Sequence, residues 1–120
     1  SDNDVSYSVF SDSGKNNLNI DPTIFGKTAL SNGAGEILIN SIDNDGSLLG
    51  FDIFLVDKVS KELDCPIIVL GGAGNWSHFF ELFDKTNVSA CCTQNIFHFT
   101  EHSIISLKKF LKNHNIQIRK

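Results

Sequence analysis

Three short segments of this chain hold the residue types that bind anions and move protons. The first is Ile42-Asp43-Asn44-Asp45-Gly46-Ser47. Read functionally, an aspartate here is an acid or base beside a ligand-binding backbone amide. Read structurally, Asp43 or Asn44 caps the amides of an Asx-type turn. The Asp-Asn-Asp-Gly run also resembles the start of a calcium loop. The twelfth position counted from Asp43 is Phe54, where such a loop needs Glu, so no metal is expected. The second segment is Gly71-Gly72-Ala73-Gly74, just before a helix start. Glycines there let a ligand approach the backbone, and free amides at a helix start favour an anion. No Gly-Lys-Ser/Thr follows, so it is not a Walker-type loop, and a tight strand-to-helix turn is the plainer alternative. The third is Thr93-Gln94-Asn95, whose amides and side chains can face the same anion, followed by Ile96-Phe97-His98-Phe99. His98, between two phenylalanines, reads as a packed residue rather than a base. Trp76 and the helical phenylalanines read as core. His78, His102 and His114 fall on polar helix faces and take no assigned role.

These segments need a frame that brings them together, and the pattern from Gly33 onward supplies one. Short apolar runs at Glu36 to Ser41, Pro66 to Leu70 and Ala90 to Thr93 each precede a loop and then an amphipathic stretch. Such runs suit buried parallel strands, which need not alternate in polarity. Asp21 caps a helix with Pro22 at its first position, ending at Asn32-Gly33. Asp52 caps a second helix to Leu63, with Ile53, Val56, Val59, Ser60 and Leu63 near one face. Asn75 caps a third to Lys85, with Phe79, Leu82 and Phe83 inward. A fourth runs from Thr100 or Glu101 to Asn113, with Ile104, Leu107, Phe110 and Leu111 inward. The fold class is therefore α/β, with parallel strands and right-handed crossover helices. Residues 1–20 differ: Val5, Tyr7 and Val9 alternate with serines before a Ser13-Gly14-Lys15-Asn16 turn, which predicts an exposed β-hairpin. Residues 21–120 form the βα repeats. The loops after the three strands then share one side of the sheet, the side where α/β proteins bind ligands.

Size and charge narrow the possibilities. The chain has 120 residues and a net charge of −4, which fits one domain with a real core. A closed eight-stranded α/β barrel needs about 200 residues or more, so this chain alone is not one. The acidic balance argues against nucleic acid as a partner. Eleven of the 14 acids lie at or before Asp64, while half of the 10 bases lie at or beyond Lys108, a tail that reads as a solvated helix face. No apolar run is long enough to span a membrane and no signal peptide is evident, so the expected location is the cytoplasm. The three cysteines show no metal-ligand spacing, and all three read as small buried apolar residues.

The motifs also carry a family resemblance. Gly33-Ala34-Gly35-Glu36-Ile37-Leu38, Ser41-Ile42-Asp43 with Asp45-Gly46, and Gly50-Phe51-Asp52 come first. Gly71-Gly72-Ala73-Gly74 with His78-Phe79, then Phe97-His98-Phe99, and the ending Ile116 to Arg119 follow in order. Together they resemble the cyclase subunit of imidazole glycerol phosphate synthase, across roughly Phe10 to Arg119. The resemblance implies the C-terminal half of a (β/α)₈ barrel, strands six to eight, with Val5 to Asn17 as the excursion after strand five. It implies a family reaction in histidine biosynthesis: ammonia from a glutaminase partner converts a bis-phosphorylated aminoimidazole precursor into imidazole glycerol phosphate and a carboxamide ribotide. No cofactor is implied.

The family's two acid–base aspartates, after strands one and five, have no matching position here. What matches is a phosphate site. Asp45, Gly46, Gly71, Gly72, Gln94 and Asn95 take its positions, and Asp45 stands where a loop aspartate helps close the site. Asn40 departs from the family's usual threonine, Leu70 from a small polar residue, and Gln94-Asn95 from small residues. Asn40-Ser41-Ile42-Asp43, Gly74-Asn75-Trp76 and Phe99-Thr100-Glu101 look more like a paralogous branch that works with an amidotransferase on surface sugars. A half-barrel also exposes two strand edges and an apolar sheet face. The expectation is a homodimer or higher oligomer that binds phosphate and is inactive by itself; a non-catalytic, self-associating phosphate-binding half-barrel is the alternative.

Overall fold

The computed structural model describes residues 5–93 and 103–119. A two-stranded antiparallel ladder, β1 (Phe10–Ser11) and β2 (Asn16–Asn17), precedes α1 (Pro22–Ser31). Then β3 (Ile37–Asn40), α2 (Ile53–Glu62), β4 (Ile67–Leu70), α3 (Trp76–Lys85), β5 (Ala90–Cys92) and α4 (Ser103–Asn113) follow in α/β alternation. The sheet is parallel in the order β3-β4-β5, with Ile39 opposite Val69 and Val69 opposite Cys91. It is an open sheet among the described residues; no barrel closes.

The first three helices start where their caps dictate. Asp21 accepts hydrogen bonds from the amides of Thr23 (2.8 Å) and Ile24 (3.3 Å), Asp52 from Leu55 (3.0 Å), and Asn75 from His78 (3.3 Å). Each thereby satisfies donors that the first helical turn leaves free. The helices cover one face of the sheet only. Ile67 and Val69 point into that face and are buried, as are Val56 and Val59 of α2 and Phe79 and Leu82 of α3. Deleting such a side chain, as in Leu82→Ala, removes about 2–5 kcal/mol in typical cores. Gly26 lets α1 lie tight on the end of α2, because a Cβ there would sit 2.5 Å from Leu63 Cδ1.

No described element covers the other face. Leu38 is 56% exposed and Asn40 is exposed, while their neighbours in register, Ile68 and Leu70, are only half-buried. The chain exposes 8178 Å², against roughly 6,400 Å² expected for a folded monomer of this mass. The open sheet face is one visible source of that excess.

Four expectations need correction. The helical phenylalanines are not all core: Phe25 is 45% and Phe54 58% exposed, on the outer sides of α1 and α2. The cysteines are not all buried: Cys65 and Cys91 are half-buried and Cys92 is exposed, because Cys91 and Cys92 alternate across the sheet and only one face has a covering layer. Ile104 is 57% exposed. It shares a helical line with the buried Leu111, but no described residue covers the first turn of α4. The N-terminal ladder is only two residue pairs long, and the segment is not simply exposed. Tyr7 is half-buried, stacks on Phe54 at 6.2 Å and donates its hydroxyl to Asp52 Oδ1 at 2.9 Å. The Val9 amide donates to the Ile20 carbonyl, and the Leu18 amide to the Val9 carbonyl, each at 2.9 Å.

Candidate functional site

Because the strands are parallel, the loops after β3, β4 and β5 leave the same edge of the sheet. Asp45, Gly46, Gly71, Gly72, Cys92 and Thr93 contribute to a cavity of about 180 Å³ there. The structure thus brings together four of the residues expected at the site: Asp45 and Gly46, both exposed, and Gly71 and Gly72, both buried. Gln94 and Asn95 lie outside the described residues, as does the run Ile96 to Phe99.

The loop after β3 is held by its own polar groups. The Ser41 carbonyl accepts from the amides of Asn44 (3.2 Å) and Asp45 (2.9 Å). Ser41 Oγ donates to Asn44 Oδ1 at 3.1 Å, and Asn44 Nδ2 donates to the Gly50 carbonyl at 3.0 Å. Asn44 is therefore the bracket of the loop, but through Ser41 Oγ and the Gly50 carbonyl rather than by capping backbone amides as the Asx-type reading expected. Asp45 and Gly46 are left at its tip, facing the cavity.

The loop after β4 is locked to the first. Gly50 N–H donates to the Gly72 carbonyl at 2.8 Å. The Gly74 amide donates to His78 Nδ1 at 3.0 Å, while Asn75 Oδ1 accepts from the His78 amide. This reciprocal arrangement is a variant of the capping box, with histidine in place of Glu at the third helical position. His78 also lies against Gly50, its ring 3.5 Å from where a Cβ would stand. Sequence reading gave His78 no role; the signal was its position three residues after the Asn75 cap.

The decisive feature is electrostatic. Among the hydrogen bonds between described residues, none uses the amides of Gly46, Gly71, Gly72 or Ala73, and all four residues line the cavity. Three of those residues are buried. Buried amides are rarely left without acceptors, and amides converging before a helix start suit an anion. Among the described residues, no group of three or more His, Cys, Asp or Glu gathers to hold a metal. No helix among them is long and apolar enough to cross a membrane.

Comparison with known proteins agrees with this architecture. Residues 2–103 match the model of a family described as histidine biosynthesis protein. The chain is similar to proteins named imidazole glycerol phosphate synthase subunit HisF. It is 45% identical to that of a Hydrogenobaculum species over 97% of this chain and 46% of the relative. The Streptococcus mutans protein is 41% identical over the same shares. The Methanosarcina mazei protein is 43% identical over 94% of this chain and 41% of the relative. The chain thus spans somewhat less than half the length of these curated relatives.

Proposed function

The chain belongs to the histidine biosynthesis protein family, and from that premise we propose that it is the phosphate-binding half of a cyclase subunit of the imidazole glycerol phosphate synthase type. The observation that carries this reading is the set of amides at Gly46, Gly71, Gly72 and Ala73, which no hydrogen bond between described residues uses, around one cavity. A phosphate monoester offers acceptors to those amides, and its charge suits the start of α3. Gln94 and Asn95 complete the binding set, and Asp45 acts as an auxiliary group at the rim. The reaction served is ammonia-dependent cyclisation of a bis-phosphorylated aminoimidazole ribotide in histidine biosynthesis, with ammonia from a glutaminase partner.

The half-barrel reading has its own support. Beside the free edge of β3 lies a slot of about 550 Å³, walled by Tyr7 to Phe10 on one side and Ile37 to Ile39 on the other. A further strand alongside β3 would occupy it. With the apolar inner face at Leu38 and the excess exposed area, this supports association with a second copy, as a homodimer or higher oligomer. Sedimentation of the purified chain tests this: a lone monomer at micromolar concentration overturns it. With no acid–base aspartate pair in matching positions, the chain by itself is inactive. Ammonia-dependent turnover by the purified chain refutes that part.

The phosphate site is tested by calorimetric titration with inorganic phosphate. Gly46→Asp is the informative variant. A Cβ at Gly46 meets nothing within 4 Å, aspartate tolerates its left-handed backbone, and the new carboxylate repels an anion. The expected result is binding by the parent chain and affinity at least about tenfold weaker in the variant, a loss on the order of 1.4 kcal/mol. No binding by the parent, or equal binding by both, overturns the site.

A further inference from the structure

Two dipeptides of this chain, Asn32-Gly33 and Asp45-Gly46, place a side-chain carbonyl next to the backbone nitrogen of a glycine. That pairing supports a reaction that needs no reagent but water. The glycine nitrogen attacks the side-chain carbonyl carbon, and a succinimide ring forms. As the new C–N bond forms, asparagine loses ammonia, or protonated aspartic acid loses water, and the leaving group carries off the glycine amide proton. Water then opens the ring at either carbonyl. One opening gives aspartate; the other gives isoaspartate, in which the backbone runs through the side chain and gains a methylene. Glycine favours the attack because it has no Cβ to hinder it.

The fold treats the two pairs differently. Asn32 is the C-cap of α1: its amide donates to the carbonyls of Thr28 and Ala29, and the Gly33 amide donates to the Leu30 carbonyl at 3.0 Å. Ring closure needs the glycine nitrogen to eclipse the preceding Cβ. The Asn32 ψ of 7° makes it eclipse Asn32's own nitrogen instead, so reaction requires undoing the helix end. Asp45 and Gly46 are exposed at a loop tip. No hydrogen bond between described residues uses the Gly46 amide. No hydrogen bond or salt bridge among them uses the Asp45 carboxylate. A single backbone hydrogen bond, from the Ser47 amide to the Asn44 carbonyl at 3.0 Å, spans the pair. A Cβ at either glycine would meet nothing within 4 Å, so what separates the pairs is the commitment of the nitrogen, not space.

We propose that Asp45-Gly46 is a self-modification site: in the folded chain Asp45 converts to isoaspartate through the succinimide, while Asn32-Gly33 is held unreactive. The longer backbone displaces Gly46 from its place in the wall of the 180 Å³ cavity. That consequence for anion binding rests on the phosphate-site reading above; the isomerisation does not.

The parent chain is incubated in warm, mildly acidic buffer, then probed with an isoaspartate-specific methyltransferase and by peptide mass mapping. Isoaspartate is expected at position 45, with Asn32 intact. Asp45→Asn gives the same dipeptide at both places and removes the difference between acid and amide. Position 45 is then expected to deamidate at least about tenfold faster than Asn32 at neutral pH, the worth of the hydrogen bond that holds Gly33 and of the helix end around it. In urea the two rates are expected to converge. Absence of isoaspartate at position 45 in the parent chain, or folded-state rates at the two positions within about twofold of each other, overturns the proposal. So does a gap that persists in urea, which would assign it to sequence rather than fold. Saturating inorganic phosphate, against chloride at matched ionic strength, is expected to slow the reaction at position 45 by occupying the Gly46 amide. Isomerisation that ignores phosphate overturns the phosphate contact at Gly46 and leaves the modification site standing.

Discussion

Gly50 and Gly72 touch backbone to backbone. The Gly50 amide donates to the Gly72 carbonyl at 2.8 Å, and a Cβ on Gly72 would lie 2.0 Å from the Gly50 carbonyl oxygen. The contact joins the loops after β3 and β4. Gly72 also has φ +110°, where a side chain is strained. Gly72→Ala therefore meets backbone that cannot move without opening the site. It is expected to destabilise the chain by about 3 kcal/mol or more. Gly46→Ala has φ +77° but open space around it, and costs about 1 kcal/mol. Urea melts of the two variants check the ordering; equal destabilisation would show that the two loops are not clamped.

Tyr7 and Asp52 tie the N-terminal segment to α2. Burial, and then the hydrogen bond to Asp52 with its negative charge, push the Tyr7 phenol up to about 12. The folded state thus holds this proton more tightly than the unfolded chain, whose tyrosine titrates near 10. The stabilisation is complete below pH 10 and is lost as pH rises from there toward about 12. Tyr7→Phe is expected to cost about 1 kcal/mol at pH 7 and to flatten this alkaline limb. Asp52→Ala removes the Leu55 cap as well and costs about 2 kcal/mol. A double-mutant cycle showing no coupling would break the assigned link.

At the acid end the corresponding group is Asp21. Partial burial raises its pKa, but hydrogen bonds from Lys58 Nζ (3.2 Å) and from the Thr23 and Ile24 amides outweigh that and hold it below its usual 3.8. A depressed carboxylate contributes stability above the unfolded pKa and loses it as pH falls below about 4. Asp21→Asn is expected to reduce stability at pH 7 while shrinking the difference between pH 7 and pH 3. Thermal melts at the two pH values check this. An unaltered difference assigns the acid sensitivity elsewhere.

What the sequence made legible was local. Asp21, Asp52 and Asn75 announced three helix starts, because a cap and the amides it satisfies lie within three residues of each other. The three apolar runs became strands because buried parallel strands need no more signal than that. That the loops after the three strands share one edge followed from parallel strand ends; that Asp45, Gly46, Gly71 and Gly72 belong to one site was what the family resemblance implied. Long-range polar contacts were not legible. Nothing adjacent to Tyr7 points to Asp52, 45 residues away, and periodicity put His78 on a polar face although its ring clasps two loops. Exposure of Cys92 and Ile104 was illegible for another reason: a strand or helix pattern says which residues share a face, not whether a layer covers it.

The cysteine pair gives the most direct reading of those two faces. Burial, and secondarily the neighbouring Cys92, push the Cys91 thiol up to about 12, so at pH 8 only about one part in ten thousand is thiolate. Cys92, one residue on, is exposed on the open face and lines the 180 Å³ cavity proposed to take an anion. Iodoacetamide at pH 8, followed by peptide mass mapping, is expected to label Cys92 and leave Cys91 intact until the chain unfolds. Inorganic phosphate at saturating concentration is expected to slow Cys92 labelling several-fold, since ligand and reagent compete for one cavity, while chloride at matched ionic strength leaves the rate unchanged. Fast labelling of Cys91 in the folded chain would reverse the assigned sheet faces. Labelling of Cys92 that ignores phosphate would place the anion away from the β5 end of the sheet.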